Sequence, residues 1–297
     1  MTTRASCGRR EFLRESALAA FAFRLSTEHA GAPRTLVVVA LETPRDTPRG
    51  TARGRGVTMG VEEAARSARL FSGDVRVERV TTLQQLDRRL GGKRASGELI
   101  GVVGGETANE CLELAAAAGR SDAVYVNTLC TSDELRGRSC NRRMFHVAPS
   151  DRMIADARGD SAAVVTAWDA SLRSFGADTL NQRFRARFDR AMDGDAWAGW
   201  FAVKALTEGT LRARQGETAA LIAYLESANS GIDGHKGRPL SFRAWDHQLR
   251  QPLYLVSPNG KTVAEVPATS ANPSGDSRDV LDLLGTKQSD SSCRFKE

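Results

Sequence analysis

A regular alternation of short apolar runs and amphipathic stretches, between residues 35 and 150, constrains this chain more than any other feature. The first run, Leu36–Leu41, is continuous and valine-rich, which is typical of a parallel strand buried on both faces. Further strands are predicted at Val75–Thr81, Leu99–Val103, Ala123–Val126 and Met144–Val147. The alternation predicts an α/β fold built on a Rossmann-like, doubly wound parallel sheet.

Amphipathic helices separate the predicted strands. Apolar residues recur at helical spacing from Val57 to Phe71, and shorter helices are predicted at Leu83–Leu90 and Thr107–Ala118. The polar stretch from Glu42 to Gly56 is expected to be a loop. Because ligands of such sheets sit outside the carboxyl ends of the strands, we expect a site in the loops after the first, third and fourth strands.

The second half of the chain has a different character. Helices are predicted at Asp178–Ala191, Asp195–Arg214 and Thr218–Ser227. A glycine-rich turn then leads to two predicted strands, Pro239–Trp245 and Gln251–Val256. Helices therefore precede short strands here, instead of alternating with them.

The N terminus resembles a twin-arginine export signal. The pair Arg9–Arg10 precedes Phe12 and Leu13, a short apolar stretch follows, and residues 30–32 form an Ala-x-Ala-like cleavage site. An amphipathic surface helix is the alternative. Export predicts that residues 1–32 are removed and that the protein is periplasmic.

Composition narrows the choice of partners. Hydrophobic residues make up 41% of the 297 residues and charged residues 26%, ordinary values for a globular protein. The net charge is +6, but the basic residues are scattered among acidic ones. We therefore expect no nucleic-acid partner. No apolar run reaches the roughly 18–20 residues of a membrane span, so only peripheral contact with a membrane protein is expected.

The chemical motifs of enzymes and metal sites are missing from the sequence. There is no nucleophile elbow, phosphate-binding loop or dinucleotide fingerprint, and no cysteine or histidine pair at metal-ligand spacing. We predict no catalytic residue, no cofactor and no metal. After export four cysteines remain, Cys111, Cys130, Cys140 and Cys293, which allow three pairings. The expected disulfide joins Cys130 to Cys140.

Several stretches of the chain are similar to type I periplasmic binding proteins, the group of the leucine/isoleucine/valine-binding proteins of ABC importers. The similar stretches in the first half are GVTMGVEEAARSARLF (56–71), LIGVVGGETAN (99–109), VNTLCTSDEL (126–135) and FHVAPSDRM (145–153). Those in the second half, residues 195–206, 234–252 and 281–293, resemble the subfamily associated with PQQ-dependent alcohol dehydrogenases.

The resemblance implies two lobes with a ligand cleft between them, and an ABC permease as partner. Ligand contacts are then expected from the loops after the third and fourth strands. They are Glu106, the hydroxyl of Thr107, the backbone of Leu129, and the hydroxyl and backbone of Thr131. Glu106 departs from the family pattern and would repel a carboxylate, so neutral or cationic ligands stay open. For Thr107 and Thr131 the alternative role is helix capping.

Against the family pattern, a block of about one hundred residues is missing after residue 157. The implied domains are a signal at 1–32, a first part of lobe 1 at 33–150, and a crossover with a lobe 2 remnant at 151–177. Helices returning to lobe 1 at 178–230 and lobe 2 strands with the tail at 231–297 complete the division. The expected function is periplasmic solute binding, impaired by the shortened lobe. The alternative is a non-binding interaction or scaffold protein of the same fold.

Overall fold

A five-stranded parallel sheet forms the centre of the structure. The computed structural model describes residues 35–42, 47–71, 73–212, 217–260, 262–267 and 280–295. The central strands are β1 (Thr35–Leu41), β2 (Asp74–Val80), β3 (Glu98–Gly104), β4 (Val124–Asn127) and β5 (Met144–His146). They pair in the order β2-β1-β3-β4-β5, and every pair is parallel. The predicted parallel sheet is confirmed.

Seven α-helices are found in the described residues. They are α1 (Pro48–Arg69), α2 (Leu83–Leu90), α3 (Ala108–Arg120), α4 (Asp151–Arg158), α5 (Ala177–Phe188), α6 (Gly194–Arg212) and α7 (Thr218–Glu226). Alternate residues of β1 enter two separate hydrophobic clusters. Leu36 and Val38 pack in a cluster with the apolar residues of α1 and α6. Val37 and Val39 pack in a second cluster with the apolar residues of α2 and α3. Both faces of the sheet are therefore covered, which explains the uninterrupted apolar strand.

Helix α1 begins at Pro48, so the prediction of a loop from Glu42 to Gly56 was wrong beyond Thr47. The Thr47 side chain accepts a hydrogen bond from the backbone N–H of Gly50, and Pro48 occupies the first helical position. The start of α1 is rich in arginine and glycine, which are usual in loops, so the sequence pattern did not predict a helix there. Gly56 faces α6 so closely that a Cβ atom there would lie 1.8 Å from the carbonyl oxygen of Ala196.

Short strands make up two smaller sheets. The strands are β6 (Val164–Thr166), β7 (Ile232–Asp233), β8 (Pro239–Phe242), β9 (Leu249–Arg250), β10 (Leu253–Val256) and β11 (Thr262–Val266). One sheet has the order β11-β10-β6 and the other β7-β8-β9, and their pairings are antiparallel. The strand predicted at Pro239–Trp245 is confirmed but ends at Phe242.

Aromatic side chains cover the apolar residues of this second part. Trp168 is 1% exposed, stacks on Trp197 of α6, and donates its indole N–H to Asn181. Phe242 packs edge-on against Phe145 of β5, with ring centroids 5.2 Å apart. The second part thus shares the hydrophobic core of the parallel sheet.

The C-terminal segment is fastened to the first half by a disulfide between Cys140 and Cys293. The expected Cys130–Cys140 bond was therefore wrong. Cys130 is a buried free cysteine, whereas Cys140 lies in the loop before β5, where the tail reaches it. Ten residues separate Cys130 from Cys140 in sequence, but tertiary packing brings Cys293, 153 residues away, to Cys140.

The predicted signal at residues 1–32 lies outside the described residues. Within the part of the chain that the structure describes, no helix combines the length and the apolar character needed to cross a bilayer.

Candidate functional site

The loops expected to hold a ligand lie at one edge of the parallel sheet. Glu106 and Thr107 follow β3, and Leu129 and Thr131 follow β4, so both pairs are at the carboxyl ends of neighbouring strands. The N terminus of α1 covers the same edge, where the Thr47 hydroxyl donates to the carboxylate of Glu106 at 2.7 Å.

Glu106 and Thr107 take part in the start of α3. The Thr107 hydroxyl accepts from the backbone N–H of Glu110 at 3.3 Å. In return the Glu110 carboxylate accepts from the backbone N–H groups of Glu106 and Thr107, at 2.9 and 3.1 Å. This is a capping box, which satisfies N–H groups that a helix start leaves unpaired. The Thr107 hydroxyl thus has the capping role that the sequence allowed, and ligand contact stays a prediction.

The loop after β4 is shaped by the buried side chain of Asn127. Its Oδ1 accepts from the N–H groups of Leu129 and Cys130, at 3.2 and 3.0 Å, and its Nδ2 donates to the carbonyl of Cys130 at 2.8 Å. The carbonyl of Thr131 then accepts from the N–H of Asp151, the first residue of α4. The backbone atoms near Thr131 are therefore held in place before any ligand arrives.

A cavity of about 100 Å³ lies between this loop, the start of α6 and β6. Leu129 and Thr131 line it together, as do Thr128, Arg49 and Asp195. Glu106 and Thr107 are not among the lining residues. The structure thus brings two of the four predicted contact residues to one cavity and leaves the other two at the neighbouring helix start.

An ion pair that the sequence analysis missed forms one wall of this cavity. The guanidinium of Arg49 donates to both carboxylate oxygens of Asp195, at 3.0 and 3.1 Å, and to the carbonyl of Leu129 at 3.0 Å. The hydrogen bond with Asp195 raises the pKa of Arg49. A Thr-Pro pair at 47–48 is a signal for a helix start, and it could have placed Arg49 in the first turn of α1.

Two polar groups at this edge are buried without a hydrogen-bond partner. The hydroxyl of Thr128 is one, and the residue is 2% exposed. The other is Nη1 of Arg53, whose Nη2 donates to the carbonyl of Leu41 at 2.8 Å. Burial lowers the pKa of Arg53, although the nearby Glu106 opposes the shift. Buried polar groups are nearly always hydrogen-bonded, so the hydroxyl of Thr128 is an exception. Thr128 is also one of the residues that line the cavity.

No protein-family model matches the sequence, and no curated protein matches it. Solved structures do resemble it. A periplasmic binding protein from Burkholderia mallei is 12% identical, and the match covers 89% of this chain and 99% of that one, with a TM-score of 0.66. An ABC-type branched-chain amino acid transporter from Rhodopseudomonas palustris is 14% identical over 77% of this chain and 94% of its own, with a TM-score of 0.61.

A third structure is the branched-chain amino acid transporter substrate binding protein LivJ from Streptococcus pneumoniae, in complex with isoleucine. It is 11% identical, and the match covers 78% of this chain and 98% of LivJ, with a TM-score of 0.61. Identities this low establish the architecture and leave the activity open. The chain has the fold of the type I periplasmic binding proteins.

Proposed function

We propose that this protein is a solute-binding protein, which takes a small polar molecule into the cavity at the carboxyl end of β4. The observation that carries the proposal is Thr128, a residue that lines the cavity and whose hydroxyl is buried without a partner. A hydroxyl or carbonyl group of a solute would complete its hydrogen bonding. The preformed loop of Leu129 and Thr131 would supply backbone groups beside it.

The charges around the cavity favour a solute without net charge. Arg49 and Asp195 neutralise each other across one wall, so neither is free to pair with an ion. Glu106, which would repel a carboxylate, is outside the lining. A volume of about 100 Å³ is below the roughly 300 Å³ at which drug-sized ligand pockets begin. Short alcohols, small carbonyl compounds and small zwitterionic amino acids are therefore the solutes to test.

The transport system, the partner, the compartment and the domain division of the protein are part of the same proposal. The resemblance of residues 195–206, 234–252 and 281–293 supports a component of an ABC importer that serves PQQ-dependent alcohol oxidation. Its partner would be the permease, and the twin-arginine-like N terminus supports export to the periplasm. The five implied segments, from the signal at 1–32 to the tail at 231–297, are part of this proposal. A reduced second lobe is supported by the described residues, in which the parallel strands belong to one sheet and the other strands to two small sheets.

A scaffold that binds no solute is the alternative, and one observation favours it. The three hydrogen bonds of Arg49 go to Asp195 and Leu129, so the main cation of the cavity is already used inside the protein. A protein of this kind would show no ligand-dependent stabilisation.

Thermal unfolding with a panel of solutes tests the proposal. A ligand at one hundred times its Kd should stabilise the protein by about 2.7 kcal/mol. Thr128→Val removes the hydroxyl at nearly constant shape. We expect it to abolish that stabilisation and to leave the ligand-free protein as stable as before, or more so, because the lost hydroxyl had no partner.

Ser230→Ala is the matched control. Its hydroxyl is also buried and unpartnered, but Ser230 does not line the cavity. The control should keep the full ligand shift. Equal ligand shifts in wild type and Thr128→Val would refute the role of Thr128. No shift with any solute in the wild type would favour the scaffold.

A further inference from the structure

The two edges of the central parallel sheet differ in what covers them. At one edge β5 is covered, because the N–H of His146 donates to the carbonyl of His247 at 2.9 Å and His146 forms a bridge with Gln248. At the other edge lies β2, which pairs with β1 and with no second strand among the residues that the structure describes. The outward N–H and C=O groups of such an edge strand can pair with a strand of another molecule.

The pairing of β2 with β1 identifies which backbone groups face outwards. The carbonyl of Val80 accepts from the N–H of Glu42 at 2.8 Å, so the backbone groups of Val80 face β1. The register between the two strands is continuous along the whole of β2. Because the direction of the backbone groups alternates from one residue of a strand to the next, those of Val75, Val77 and Arg79 face outwards.

The sequence of β2, DVRVERV, is complementary to itself when two copies run antiparallel. In antiparallel pairing the outward residues of one strand lie opposite outward residues of the other. With Val77 on a two-fold axis, the two copies of Val77 face each other and Val75 faces Arg79 of the second copy. Arg76 then lies opposite Glu78 of the second copy. Opposite charges directly across a strand pair are favourable, whereas like charges are unfavourable.

The charges on β2 select this register over its neighbours. An axis at Arg76 would place two arginines opposite each other, and an axis at Glu78 would place two glutamates opposite each other. Val77 is the middle residue of β2, so the axis at Val77 also gives the longest paired stretch. The side chains of Arg76 and Glu78 are 50% and 33% exposed, so both are accessible to a second molecule.

Within one molecule the charges on this face of β2 are already balanced. Arg76 lies 3.1 Å from Glu98, and Arg89 contacts both Glu78 and Glu98. Two arginines and two glutamates therefore form one network. Two such networks meet without an excess of either charge, and the pairs between Arg76 and Glu78 extend them across the axis.

Apolar side chains are exposed beside the start of β2. Leu70 and Phe71, at the end of α1, are 82% and 71% exposed. In the antiparallel arrangement the end of one β2 lies beside the start of the other, which is next to these two residues. Apolar surface at a free strand edge favours an interface there.

We propose that two copies of this chain associate through their β2 strands, which join the two parallel sheets across an antiparallel, two-fold symmetric junction centred on Val77. Such a contact is self-complementary, as are the interfaces of the most common oligomers. Hydrogen bonds between the outward backbone groups hold the strands together, and the pairs of Arg76 with Glu78 fix their register. No residue of β2 lines the cavity after β4, so the association is separate from solute binding.

Light scattering after size-exclusion chromatography of the full chain tests the proposal. Over a concentration series we expect the mass to rise from that of one chain to that of two. Val77→Pro should keep the mass at that of one chain, because proline lacks the N–H that pairs across the axis. That N–H faces away from β1, and edge strands tolerate proline at such positions, so the Tm of the variant should show a folded monomer. A wild type that is monomeric at every concentration, or a dimer that Val77→Pro leaves intact, would overturn the proposal.

Cysteine variants test the register without the proline variant. The Cα atoms of a hydrogen-bonded antiparallel pair are about 5.5 Å apart, within the range that a disulfide spans. Val77→Cys should therefore form a disulfide-linked dimer under mild oxidation, detected by non-reducing electrophoresis, since the side chain at this position is only partly buried. Arg79→Cys is the matched control, because the two copies of position 79 are about 13 Å apart along the strands and should not link. No linkage through position 77, or equal linkage through both positions, would overturn the two-fold junction at Val77.

Discussion

The contact between α1 and α6 depends on the absence of a side chain at Gly56. A Cβ atom there would lie 1.8 Å from the carbonyl oxygen of Ala196 and 2.9 Å from the backbone N of Trp200. These are backbone atoms of a helix, which cannot rotate away as a side chain would. Gly56→Ala therefore forces the two helices apart by more than an ångström.

The expected cost follows from two opposing terms. Alanine is better than glycine inside a helix by about 1 kcal/mol. Overpacking a close contact costs about 1–3 kcal/mol, and more where the backbone has to shift. The buried residues of α6, Trp197 among them, lie in the main hydrophobic cluster, so the displacement opens the core as well. We expect a net loss of about 2 kcal/mol, which for a chain of this size lowers the Tm by about 4–8 °C.

Gly119→Ala is the control for this prediction. Gly119 is also inside a helix, but a Cβ atom added there meets no atom within 4 Å. The control should raise the free energy of unfolding by about 0.5–1 kcal/mol. Thermal and urea unfolding, followed by tryptophan fluorescence, measure both variants. If Gly56→Ala is as stable as wild type while Gly119→Ala is stabilised, the close approach of α1 and α6 is wrong. Since Arg49 and Asp195 lie on these same two helices, Gly56→Ala should also weaken solute binding.

Two further predictions concern the C-terminal half. Cys140→Ser removes the bond to Cys293 and should lower the free energy of unfolding by about 2–5 kcal/mol; a Tm difference that persists after the wild type is reduced would contradict this. Burial alone would raise the pKa of Glu226, but hydrogen bonds with His247 and Arg142 outweigh it and lower the pKa to about 2. That stabilisation is complete above the unfolded value of about 4.3 and is lost as the pH falls towards 2. Glu226→Gln should therefore be less stable by on the order of 2 kcal/mol at pH 7, with no difference near pH 2, in unfolding curves recorded across that range; a constant difference would contradict it.

The central parallel strands β1 and β3 were predictable because burial on both faces leaves them with nearly continuous apolar runs. Leu36–Leu41 and Leu99–Val103 carry that signal in the sequence alone, and both strands are found. The first two turns of α1 carry no such signal. Arginine and glycine are usual in loops, and here Gly56 serves a helix contact with a partner about 140 residues away.

The residues of the candidate site were also predictable only in part. The strand pattern predicted the loop after β4 and the family resemblance implied Leu129 and Thr131 within it, and both residues line the cavity. Arg49, Asp195 and the unpartnered Thr128 were not predicted, because a hydroxyl without a partner and an ion pair between distant residues exist only once the chain is folded. The sequence allowed two roles for Thr107, and in the structure its hydroxyl caps α3 by accepting from the backbone N–H of Glu110.

Local pattern in the sequence thus determined the α/β class, the strand positions and the edge where the loops converge, since hydrophobic periodicity acts over a few residues. Tertiary structure alone decided which helices cover each face, which cysteines pair, and which residues enclose the cavity. Each of these features depends on contacts between residues that are far apart along the chain, such as Cys140 and Cys293. Close packing of the folded chain determines these contacts, and the local sequence pattern does not indicate them.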